Sequence, residues 1–280
     1  MASNSEFQTV GNLGWRQGFA NLFRKENHLW WRTSRWWVQV LIWLAIANGI
    51  LFLVIGVAPK MEKSYGQDTT AQTTPQSELD IYGLTVFLKM AGIMIAIGVV
   101  ILGQGTMIDE KQAGTAAWVL SKPISRPAFI LSKVISNSIG VLVTMAVAQA
   151  GVAYLIIYAI TGKALPLLPF AGAAGLLFLG LAFWLTLTIM LSTISNMRGL
   201  VIGVPLILLL GYSLFVEVTP WLVDYMPWNL TSAVDASRPA LAVALVTGQP
   251  LPTMMPVIAS LVWCVLFTLI AIWRFRKEEF

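Results

Sequence analysis

The 280-residue chain has one cysteine and one histidine, and charged side chains make up only 11% of it. A lone thiol, Cys264, excludes an intrachain disulfide and any cysteine-based metal site. Lying inside an apolar run, it reads as a small core residue. The lone imidazole, His28, belongs to no HExxH pattern, and no apolar run carries paired aspartates, so acid–base or metal-assisted hydrolysis has no residues to work with. A phosphate-binding loop is missing too. The Gly162-Lys163 pair has Ile157 where that pattern needs Gly and Ala164 where it needs Ser or Thr. The 11 methionines are scattered like gap fillers in apolar packing, not grouped like metal ligands. The net charge of +5 comes from basic residues placed beside apolar runs, a pattern of membrane topology and not of nucleic-acid binding.

What the chain does have is apolar length. With 57% hydrophobic residues and a mean hydropathy of +0.76, it is an integral membrane protein of one membrane domain, residues 1–280. Residues 1–35 do not begin as a cleavable signal peptide does. Trp15, Phe19, Leu22, Phe23 and Trp30 recur at helical spacing opposite Arg16, Asn21, Arg24 and Lys25, which predicts an amphipathic leader helix among lipid headgroups. Six spans follow, over 36–57, 83–107, 134–160, 170–194, 200–216 and 255–273, each suited to a hydrocarbon core of about 30 Å. Trp30, Trp31, Trp36 and Trp37 mark the first interface. Gly172, Gly175 and Gly180 offer close helix approach in the fourth span. Residues 217–253, broken by Pro220, Pro227, Pro239, Pro250 and Pro252, are too interrupted to cross again and read as a partly embedded outer segment. An even number of spans puts both termini on one side. Of the 18 Lys and Arg residues, those before the first span, in the 108–133 insert, at Arg198 and after the last span share that side, leaving Lys60, Lys63, Lys163 and Arg238 outside. The termini and the insert are therefore expected in the cytoplasm. Lys89, inside the second span, reads either as a substrate or counter-ion contact or as a lysine whose stem reaches the outer interface.

The 108–133 insert carries six charges, Asp109, Glu110, Lys111, Lys122, Arg126 and Lys133, in a specific order. Glu110 is followed by Gly114-Thr115, then Pro123, then Arg126 and finally Lys133. Gly114 permits a tight bend, Thr115 can cap the next turn, and Pro123 can end it. Ala116 to Leu120, centred on Trp118, offers an apolar knob, with Glu110, Lys111, Lys122 and Arg126 as charges around its rim.

This spacing resembles the hallmark loop of the permease subunits of ATP-binding-cassette type-2 exporters, and the six spans and basic leader fit that family along the whole chain. The resemblance implies an all-α membrane protein of six transmembrane helices, with an N-terminal interfacial helix, a cytoplasmic coupling helix and an outer re-entrant segment. It implies that Glu110, Gly114, Thr115, Trp118, Pro123 and Arg126 engage a separate cytosolic ATPase. It further implies two ATPase copies holding ATP and Mg, with no cofactor on this chain, and a second permease copy or a related permease. A central cavity would be lined by spans one, two and five, where Asn48 and Lys89 are the candidate polar contacts. The expected location is the cytoplasmic membrane of a bacterium, and the expected cargo is an apolar or amphipathic molecule such as a drug, lipid or peptide. Some members of the family instead serve ion extrusion or metalloenzyme maturation. Two rivals from other classes stand beside this reading: a membrane scaffold that recruits a cytosolic protein without transport, and an ion-gradient transporter. The second is disfavoured by the scarcity of ionisable groups within the spans.

Overall fold

The computed structural model describes residues 18–65, 78–115, 118, 121, 124–235 and 238–278. Among these residues there is no strand, only an isolated bridge between Asp235 and Arg238. After α1 (Phe19–Trp31) come four long helices: α2 (Arg35–Met61), α3 (Leu79–Gln112), α4 (Arg126–Thr161) and α5 (Leu167–Ile194). Next are α6 (Arg198–Leu210) and α7 (Tyr212–Val218), which bend by 60° at Gly211. A 3-10 turn (Pro220–Tyr225) leads to the short helices α8 (Trp228–Thr231) and α9 (Leu241–Thr247), and α10 (Met255–Arg276) closes the chain. Among the described residues, α2, α3, α4, α5 and α10 are each long and apolar enough to cross a membrane, and α6 with α7 makes a sixth crossing if taken as one span. The protein is an all-α, multi-pass membrane protein.

The helices outrun the apolar spans. At 1.5 Å per residue, the 36 residues of α4 reach about 54 Å, well beyond a core of about 30 Å. The extra length comes from the charged insert: Arg126–Lys133, whose charges flank the apolar Ala128–Leu131, extends α4 backward and Asp109–Gln112 extends α3 forward, leaving 113–125 as the connection between them.

Helix α5 is the axis of the bundle and packs against α3, α4, α6, α9 and α10. Every residue from Gly180 to Met190 is buried, as expected of a helix apolar on all sides. Its hydroxyls need no outside partner, because Thr186, Thr188, Ser192 and Thr193 donate to carbonyls three or four residues back. Of the three glycines in its sequence, only Gly172 meets a close neighbour, Leu245 next to it on α9.

Three long helices carry π-helical turns: Leu44–Asn48 and Leu53–Val57 in α2, Ala91–Ile95 in α3 and Leu142–Val147 in α4. Such turns release carbonyls from the regular ladder. Gln149 takes up one of them, donating from Nε2 to the Thr144 carbonyl at 3.1 Å and to that of Val40 at 3.2 Å, while its Oε1 accepts from Asn48 at 2.8 Å. The short helices after the α6–α7 bend pack into the bundle: all four residues of α8 are buried, as are Leu241–Ala244 and Val246 of α9.

Candidate functional site

The motif residues converge at the end of the bundle that holds α1, the 113–125 connection and the C-terminal end of α10. Helix α3 stops because Gly114 takes φ +67°, which a side-chain-bearing residue adopts only with strain. The Gly114 amide donates to the Lys111 carbonyl, and the Thr115 hydroxyl donates back to the Glu110 carbonyl at 3.1 Å, so Thr115 closes the helix behind it. Beyond it the Trp118 amide donates to the Gly114 carbonyl and the Ser121 hydroxyl to the Trp118 carbonyl. Trp118 is 63% exposed. Pro123 and Lys122 lie outside the described residues, as do Ala116, Ala117, Val119 and Leu120. Ser125 then starts α4 as an N-cap, its hydroxyl accepting from the Ala128 amide, with Pro127 in the first turn.

The charges flanking this turn are engaged within the chain. Lys133, 2% exposed, reaches Glu26 on α1 and Glu110 on α3, both at 2.9 Å, and Lys25 joins Glu110 at 3.2 Å. Two acids and two bases balance, so the buried charges need no counter-ion. The same face of α1 continues to Trp30, whose indole N–H donates to Asn137 at 3.1 Å and whose ring fills the space a Cβ at Gly140 would take. Glu26 thus meets Lys133 and Trp30 meets Asn137, so α1 runs parallel to the lower part of α4 in matched register. The buried stripe of α1 is Leu22, Glu26 and Trp30; Phe19 and Phe23 stack on each other at 5.9 Å, and Trp15 lies outside the described residues.

Arg126 turns to the end of α10. Its Nη1 lies 2.5 Å from the Arg276 carbonyl oxygen, 2.9 Å from that of Glu278 and 3.4 Å from that of Phe275. A guanidinium there satisfies carbonyls that a helix terminus leaves open and complements the helix dipole. Lys111 bridges the Glu278 carboxylate and the Thr193 carbonyl, each at 2.8 Å, and Asp109 pairs with Arg198 at 2.7 Å. Three charges placed by the sequence around the rim of a knob therefore brace the ends of α3, α4, α5 and α10.

Sequence reasoning missed Glu26 and Asn137. The signal for Glu26 was present, a lone acid four residues from Leu22 and four from Trp30 on one helical stripe. Asn48 sits 1% exposed between α2 and α4, donating to Gln149, and Lys89 is exposed one residue before the end of a regular helical stretch of α3. A cavity of about 30 Å³ lies near the α6–α7 bend, with Gly92, Trp184, Tyr212, Trp228 and Thr231 on its wall; Asn48 and Lys89 do not line it. It has room for water and not for a drug-sized molecule.

Among the described residues no group of three or more His, Cys, Asp or Glu side chains could hold a metal ion. A bundle of helices apolar enough to cross a membrane, braced at one end by a charge cluster beside the exposed Trp118, defines a multi-pass membrane protein. The family described as ABC-2 family transporter protein matches residues 20–280, and the chain belongs to that family. It is a membrane permease subunit of an ABC transporter, a transport subunit whose family implies a partner that binds ATP. Among curated proteins no match was found.

Proposed function

We propose that the chain is the permease half of an ATP-driven exporter and that the 113–125 connection is its coupling element, facing the cytoplasm together with both termini. The observation that carries this reading is the buried Glu26–Lys133–Glu110 network. It ties α1, α3 and α4 into one rigid mount directly behind the turn that presents Trp118, so a push on the exposed indole is passed to three helices and is not absorbed by a soft loop. Glu110 and Arg126 act as the braces of that mount, while Gly114, Thr115 and Trp118 shape the projecting turn, to which the family's spacing also assigns Pro123. The partner is a cytosolic ATPase in two copies, holding ATP and Mg. A second copy of this chain, or a related permease, covers exposed apolar faces such as those of Leu41 and Phe52 on α2 and Ile207 on α6. The cargo is apolar or amphipathic and leaves through a path between the two permeases, because the spans offer few charges.

The test is to identify the ATP-binding-cassette ATPase that co-purifies with the chain, reconstitute the pair in phosphatidylethanolamine–phosphatidylglycerol vesicles, and measure ATP hydrolysis and ATP-dependent movement of fluorescent lipids and amphipathic dyes. Hydrolysis accompanied by movement of at least one probe is expected. An intact complex that neither hydrolyses ATP nor moves any probe would leave the scaffold reading in its place.

A further inference from the structure

We propose that the segment closing α10, Phe275–Glu278, is a positioning element for the coupling connection and carries its movement into the last membrane helix. The inference rests on the coupling role proposed above. It starts from the fact that the segment is held from both sides of the connection: Lys111, just before it, binds the Glu278 carboxylate, and Arg126, just after it, binds the carbonyls of Phe275, Arg276 and Glu278. These contacts are charge-assisted, the stronger kind of hydrogen bond, and the Lys111 side chain is 7% exposed, so water competes for it weakly. The Phe275 ring, fully buried, lies flat against Phe129 of α4 at 5.2 Å with 2° between their planes. Lys111 also binds the Thr193 carbonyl at the end of α5, against which α10 packs.

The consequence is mechanical. The connection cannot shift without dragging the end of α10 or releasing several charge-assisted bonds at once. A load entering at Trp118 therefore divides, one part passing up α3 and α4 and another crossing through Arg126 and Lys111 to α10, with the end of α5 as the fixed anchor for Lys111. The polar tail is then a working part of the permease as well as a topology signal.

The test uses the full chain with its ATPase in the vesicles described above and compares Glu278→Lys, Lys111→Glu and the two together, with Glu278→Gln as a milder variant should the reversal fail to fold. The single reversals are expected to lower ATP hydrolysis by roughly 2- to 30-fold, the span of coupling substitutions away from a ligand, with the ATPase still bound. The double exchange is expected to restore part of the loss, because it re-forms the ion pair but not the bond from Lys111 to the Thr193 carbonyl. In the permease alone, hydrogen exchange of the 111–133 amides is expected to quicken in Glu278→Lys. Wild-type hydrolysis and wild-type exchange in Glu278→Lys would overturn the proposal, as would loss of ATPase binding at unchanged exchange, which would make the tail part of the dock. If the unaltered chain retains no ATPase, the coupling role itself fails, and the exchange measurement still decides whether the tail positions the connection.

Discussion

Lys133 faces two carboxylates at 2.9 Å in a place almost closed to water, so its charge has no substitute. Replacing it by Met leaves Glu26 and Glu110 confronting each other, and breaking a buried pair in this way costs about 3–5 kcal/mol. Lys25, whose side chain is 46% exposed, contributes about 0–1 kcal/mol to the same network. Thermal unfolding in detergent should therefore separate Lys133→Met from Lys25→Met by several degrees; equal losses would mean that the network does not hold the mount. The sequence marked Glu110, Arg126 and Lys133 through their spacing, but their partners were not legible. Lys133 and Glu26 stand 107 positions apart, and nothing in local periodicity links an acid in the leader to a base at the start of the third span.

Local rules served better for helices than for their ends. Apolar runs predicted the crossings, because a segment of about 20 apolar residues has few alternatives to a membrane helix. The charged residues at the ends of α3 and α4 mark the limits of the apolar spans but not of the helices, and Ser125 followed by Pro127 is the helix-start signal that sets the beginning of α4 at Arg126. In the proline-rich 217–253 segment the helices α8 and α9 are short, yet both are buried. Gly114 is the element-scale hinge, where helix α3 must stop and the exposed turn begin. Among the described residues, its chain neighbours aside, no heavy atom lies within 4 Å of the position a Cβ would occupy, so Gly114→Val tests mainly the backbone conformation. The left-handed backbone costs a β-branched residue about 1–3 kcal/mol. The expected result is a chain that inserts and assembles normally but binds its ATPase more weakly, read as a lower ATPase-to-permease ratio on purification. An unchanged ratio would show that the turn need not keep this shape.

At the scale of the whole molecule, the described side chains divide into a bound end and a looser perimeter. Buried charges, an aromatic stack and a capped helix terminus gather at the end with α1, whereas α2 and α6 present exposed apolar side chains such as Leu53 and Ile207 along their length. Helix α5 stands between them with eleven consecutive residues, Gly180 to Met190, closed off on every side. Amides in such a stretch are released only when the entire bundle opens, so they should be the slowest to take up deuterium and should keep the same rate with and without ATP. Nucleotide-dependent exchange within Gly180–Met190 would contradict this. In the proposed cycle helix α5 is, in engineering language, the stator of the permease: the part that stays still so that the displacement of the surrounding helices has a frame to be measured against.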